Sequence, residues 1–157
     1  GQFQVGIIPG HRSSDTLAYT ALFDETMLLY CGAQHPLFGT DNTAMGWDDV
    51  RQHPFAGLGY HSPNMDISQQ VRLVRKATGY DQESIATLIL SGQFLGFLPD
   101  HYAHGFVQSG QMRAVQPTLF RYDCNFFSIV RRSPQPTRVT RAFQECLRVA
   151  HEGRQCP

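Results

Sequence analysis

The segment from Ser84 to Pro99 changes its hydrophobic period halfway along. Ile85, Leu88 and Ile89 recur at helical spacing up to Gly92; Phe94 to Leu98 then form a short apolar run that Pro99 ends. A helix feeding directly into a buried strand is an α/β unit. Such units hold their loops and helix ends beside a crevice in which a small molecule can be gripped.

The rest of the chain extends this pattern. Phe3, Val5, Ile7 and Ile8 predict a strand stopped by Pro9-Gly10, followed by a polar loop from His11 to Asp15. Glu25 to Cys31 predicts a second strand, apolar on both faces and therefore central. Trp47 and Val50 ahead of His53-Pro54 predict a short helix leading into a strand over 55–58, after which Gly59 to Pro63 form a permissive loop. A helix is then expected with Asp66 as its cap, Gln69 in the capping-box position, Ile67, Val71 and Val74 as its buried stripe, and Gly79 as its terminator. The next helix starts near Asp81 or Gln82, with Glu83 suited to its dipole. Beyond Pro99 the pattern predicts a helix over 100–109 closed by Gly110, and strands over 112–115 and 126–130. A final helix over 137–150 carries the cleanest amphipathic stripe in the chain: Val139, Ala142, Phe143, Cys146, Leu147 and Ala150. Residues 151–157 read as a frayed tail.

At 157 residues the chain is near the usual size of one domain and can bury a real core. Its 13 basic residues balance 13 acidic ones, so bulk charge does not point to a nucleic-acid surface. No apolar run is long enough to cross a membrane, and the first residues lack the basic and apolar regions of a signal peptide. Cys31, Cys124, Cys146 and Cys156 are widely scattered, three of them inside apolar patterns, which reads as buried free thiols and a reducing compartment. Ser91-Gly92 is not a nucleophile elbow, no glycine-rich phosphate loop is present, and Asp24-Glu25 has no identifiable acid–base partner. The sequence therefore offers no catalytic constellation and implies no cofactor. His101 and His104 lie three apart, and His11 and His61 could meet across a cleft. No cysteine or carboxylate joins them at a metal-binding spacing, so surface or structural roles are expected and no metal.

Four segments in order carry a family resemblance: Gly1-Gln2-Phe3-Gln4-Val5-Gly6-Ile7-Ile8-Pro9; Phe23-Asp24-Glu25 leading to Leu28-Leu29-Tyr30-Cys31 and His35-Pro36-Leu37; Ile89 through Pro99; and the closing strand and helix with Ala142-Phe143 and Leu147. Together they resemble the effector-binding domain of LysR-type transcriptional regulators across nearly the whole chain. Gln93-Phe94 and Gly96-Phe97 stand where that family usually has a glycine-isoleucine step. The resemblance implies an α/β, two-lobed fold like type 2 periplasmic binding proteins. On it, residues 1–32 and 116–150 form a partial first lobe with the crossover segments, 33–115 form the second lobe, and 151–157 form a tail. It also implies that the winged helix-turn-helix, the linker helix and the first part of the first lobe lie outside this chain, leaving the first lobe incomplete at its N-terminus.

The same resemblance implies a sensor that binds a small, anionic organic effector between its lobes. Three segments are expected to face that cleft: Pro9, Gly10, His11 and Arg12; Gly59, Tyr60, His61 and Ser62; and Asn125, Phe126 and Phe127. Loop amides and hydroxyls suit an oxygen-rich ligand, and Arg12 offers a fixed donor fork for a carboxylate. The plainer readings are a solvated loop charge for Arg12, the same for His61, and packing for Tyr60. A homodimer or homotetramer is implied, with the helix expected over 67–76 as a pairing surface. DNA would be reached only through the absent helix-turn-helix, in the cytoplasm and without membrane contact. Two alternatives stay open at this point, an exported solute-binding protein of the same fold class and a small α/β enzyme.

Overall fold

A computed structural model describes residues 3–10 and 13–152. They form strands β1 (Gly6–Pro9), β2 (Leu17–Gly32), β3 (Phe55–Leu58), β4 (Arg75–Gly79), β5 (Leu95–Pro99), β6 (Met112–Ala114) and β7 (Arg121–Arg131). The helices are α1 (Trp47–Val50), α2 (Pro63–Gln70), α3 (Gln82–Leu90), α4 (Asp100–Gln108) and α5 (Arg138–His151). Two compact units divide the chain: residues 1–25 with 124–157, and residues 26–123.

The larger unit holds the main core. β5 pairs antiparallel with β2, Met27 opposite Pro99 through Tyr30 opposite Gly96; it pairs parallel with β3, which in turn pairs parallel with the edge strand β4. β6 lies on β2 from Tyr30 to Gly32. α3 carries the chain from β4 back to β5, as the change of period at Gly92 requires. Ile85 and Ile89 on α3 are fully buried in a cluster with Tyr30, Ala56, Leu58, Leu98, Ala103 and Met112. Asp81 caps this helix by accepting a 2.7 Å hydrogen bond from the Ser84 amide. Gly92, which closes it, has φ +74 and is pressed against Gln34, where a side chain has neither the backbone conformation nor the room.

β2 and α3 approach so closely at Gly32 that a β-carbon there would lie 2.2 Å from the Ile89 carbonyl oxygen. Because the obstacle is backbone, the strand and helix would have to separate. Gly32→Ala is expected to destabilise the larger unit by about 1–3 kcal/mol, read as a lowered urea midpoint with the m-value unchanged.

In the smaller unit β1 pairs antiparallel with β7, Gly6 opposite Ile129 through Pro9 opposite Phe126, and β7 in turn neighbours β2. Thr137 caps α5 by accepting from the Thr140 amide.

Three expectations are corrected. First, the helix expected between Asp66 and Gly79 is instead a shorter helix followed by a strand. α2 begins after Ser62, which caps it with Pro63 at the first helical position, and Arg72 at φ 57 turns the chain into β4. A pairing surface drawn over residues 67–76 as one helix therefore spans two different elements. Second, the strand expected from Glu25 starts at Leu17; Leu17, Tyr19, Ala21 and Phe23 already alternate with other residues in the strand period. Third, the apolar stripe of α5 is not its buried face. Val139 is 78% and Phe143 50% exposed, and Ala142, Cys146 and Ala150 are exposed too. The inward face is instead Thr140, with Gln144, Leu147 and His151 half-buried. Polar and ring contacts choose this face: Thr140 Oγ1 donates to Gln4 Oε1 at 2.6 Å, and the His151 ring stacks on Phe23 at 5.0 Å.

Candidate functional site

β3 ends at Leu58, and its loop runs through Gly59, Tyr60, His61 and Ser62 into α2. Its geometry follows from Ser62 and Pro63. Ser62 is extended, at φ −161 and ψ 165, and Pro63 then fixes the first helical dihedral. The Ser62 hydroxyl accepts from the Met65 amide at 3.4 Å and donates to the Tyr60 carbonyl at 3.2 Å, so it ties the loop to the helix start. The Asp66 amide donates to the Ser62 carbonyl. His61 Nε2 lies 3.6 Å from an Asp66 carboxylate oxygen.

Asn64 is the most informative side chain of this segment. It is 3% exposed, and its Oδ1 accepts from the Leu58 amide at 3.1 Å. Its Nδ2 is buried with no hydrogen-bond partner. A buried amide NH2 without an acceptor costs about 1–3 kcal/mol unless something supplies one. It sits in the first turn of a helix, where backbone donors also favour negative charge. The Arg75 guanidinium closes the back of the segment by donating to the Leu58 carbonyl at 3.1 Å. Asn64 is hidden in the sequence because a cap at Asp66 starts the helix four residues too late; Ser62-Pro63 is the signal that reveals it.

The smaller unit brings together Pro9, Gly10, Asn125, Phe126 and Phe127. Pro9 is paired with Phe126, and the Gly10 amide donates to the Asn125 carbonyl at 2.8 Å. A β-carbon on Gly10 would come within 2.3 Å of the Phe127 ring, so any other residue would have to displace that ring. Both rings are engaged in packing. Phe126 stacks on Phe23 at 4.9 Å and Phe127 meets the Tyr19 ring edge-on at 6.2 Å. Asn125 Nδ2 donates to Asp24 at 2.7 Å. His11 and Arg12 lie outside the described residues.

The remaining reactive groups are quiet ones. Burial pushes the Cys31 thiol up to about 11, and burial together with Glu25 and Asp24 does the same to Cys124, so neither is a thiolate at neutral pH. Cys146, expected in a core, is exposed on α5. Burial, helped by the Asp100 charge, raises the Tyr30 hydroxyl to about 12. Among the described residues no three histidine, cysteine or acidic side chains gather as a metal site, and no helix is long and apolar enough to cross a membrane. An open groove of about 200 Å³ lies in the smaller unit between Gln4, Arg131, Pro134 and Thr137. It involves none of the expected site residues and no orphaned polar atom.

The LysR substrate binding domain family matches residues 1–151. The chain belongs to that family. It is 31% identical over 150 residues to the HTH-type transcriptional activator BauR of Pseudomonas aeruginosa, a match covering 96% of this chain and 49% of that protein. The chain thus spans about half the length of this curated relative. Its fold is shared with the CcmR regulatory domain of Synechocystis PCC6803, solved in complex with 2-PG. There the TM-score is 0.75 at 16% identity, over 98% of this chain and 76% of that one. Full-length HypT of Salmonella typhimurium, a hypochlorite-specific LysR-type regulator, gives a TM-score of 0.74 at 12% identity, over 96% and 53% of the two chains. The architecture is accordingly the type 2 periplasmic-binding-protein-like fold of LysR regulatory domains, and the chain is the effector-binding domain of a LysR-type regulator. These relatives are transcriptional regulators, which sets aside the reading as an exported solute-binding protein.

Proposed function

We propose that this domain senses a small organic acid, held in the larger unit by Gly59, Tyr60, His61, Ser62 and Asn64. The observation that carries the proposal is the buried Asn64 Nδ2 with no acceptor, set at the start of α2 beside the Ser62 cap. A carboxylate oxygen supplies the missing partner and is favoured by the helix dipole. The CcmR regulatory domain, solved in complex with 2-PG, supports a ligand-holding role for this fold.

On this reading residues 1–32 and 116–150 form the first lobe of the sensor and residues 33–115 the second. The effector biases their equilibrium in proportion to its differential affinity for the two states. The complete regulator works as a homodimer or homotetramer in the cytoplasm, reaches DNA through an N-terminal helix-turn-helix, and catalyses no reaction.

A thermal-shift screen of the complete regulator with acetate, propionate, succinate and benzoate tests the ligand class. An acid present at about 100 times its Kd is expected to add about 2.7 kcal/mol of stability. Asn64→Asp keeps the oxygen that accepts from Leu58 but replaces the donor by a negative charge. It should abolish that shift; because it also buries a charge it should lower the unliganded midpoint, so the shift is read against each protein's own unliganded midpoint. A full shift in Asn64→Asp would rule out the proposed contact.

A further inference from the structure

β4 ends on Gly79, paired with Leu58 at the end of β3, and the residue after Leu58, Gly59, donates its amide to the Gly79 carbonyl at 2.8 Å. Neither glycine has a side chain to hold that junction, and the effector loop starts from it. Tyr80 follows Gly79 directly. A β-carbon at Gly59 would lie 2.8 Å from Cε1 and 2.9 Å from Cζ of Tyr80, and 2.6 Å from Cγ2 of Thr78. The Tyr80 ring is therefore laid against the open face of Gly59, although Tyr80 as a whole is 72% exposed. So exposed a ring contributes little to the core. What it does contact is the residue with the greatest backbone freedom, three positions before the Ser62 cap.

We propose that Tyr80 is a positioning residue for the effector loop: its ring covers Gly59 and fixes the angle at which the chain leaves β3, and so where Ser62 and Asn64 are presented. An aromatic ring over a glycine of a neighbouring strand is a recognised way of stiffening a sheet at such a point. Thr78 flanks the same glycine from β4, so the residues on both sides of Gly79 bear on it. The importance of this for sensing rests on the effector reading of the loop given above; the mechanical part does not.

The test compares the complete regulator with its Tyr80→Ala and Tyr80→Phe variants, by amide hydrogen exchange and by response to the four acids named above. Tyr80→Ala should leave the thermal midpoint within about 2 °C of wild type, as exposed substitutions do. It should speed exchange at Gly59 and residues 60–62 by about tenfold or more, reflecting local opening, and weaken binding of any stabilising acid by a similar factor. Tyr80→Phe, which keeps the ring, should restore both. Wild-type exchange in Tyr80→Ala, or no rescue by Tyr80→Phe, would overturn the assignment. So would a large drop in midpoint with faster exchange throughout residues 26–123, which marks a general packing role. If no acid shifts even the wild type, the organic-acid reading fails alone, and the exchange measurement still decides the role of Tyr80.

Discussion

Replacing Phe97 by alanine is expected to cost about 3–5 kcal/mol of stability. Phe97 lies on β5 and is 1% exposed. Its ring meets Phe55 edge-on at 5.9 Å and Tyr122 at 5.1 Å. β5 is held by β2 on one side and β3 on the other, so the strand cannot shift to fill the space the ring leaves. The cost thus includes both the lost burial and a persistent cavity. Urea unfolding followed by a probe in residues 26–123 measures it. A loss below about 1 kcal/mol would mean that the site collapses and that β5 is not the fixed centre described above.

Stability should also fall steeply with acid, and His35 is the reason. His35 is buried in the turn after β2; its Nδ1 accepts from the Leu37 amide at 3.1 Å, and its ring packs on His53 with centroids 4.9 Å apart. Burial first, and the His53 charge second, push it down to about 4 from an ordinary 6.5. The folded state then binds fewer protons than the unfolded one between those values. The contribution of neutral His35 is complete above about pH 6.5 and is lost as pH falls toward 4. A depression of that size corresponds to about 3 kcal/mol across the window. His35→Gln should be less stable at neutral pH but lose this part of the slope. Equal pH slopes in the two proteins would show that another group carries the acid sensitivity.

The parts of the fold that sequence made legible are those where pattern and packing agree. α3 and β5 were readable because buried Ile85 and Ile89 keep helical spacing and a glycine with positive φ separates them from an apolar strand. β4 was hidden because it is an edge strand: Arg75, Lys76 and Thr78 give no apolar alternation, while Val71 and Val74 happen to fall at helical spacing. α5 misled differently. Its length and cap were readable, but its apolar face is turned outward while Thr140 and His151 bond and stack inward, a choice set by Gln4 and Phe23 far away in the sequence. The site divides along the same line. The loop from Gly59 to Ser62 announces itself by composition, whereas the roles of Asn64 and Tyr80 depend on contacts with Leu58 and Gly59 that only the strand pairing creates.

Amide chemical-shift mapping of the complete regulator, during titration with whichever acid stabilises it, tests the effector site most directly. The largest changes are expected at the amides of residues 59–65 and at the Asn64 side-chain NH2, saturating together. Changes confined to residues 130–140, or spread evenly with none at Asn64, would contradict the assignment of this loop as the place where the effector is held.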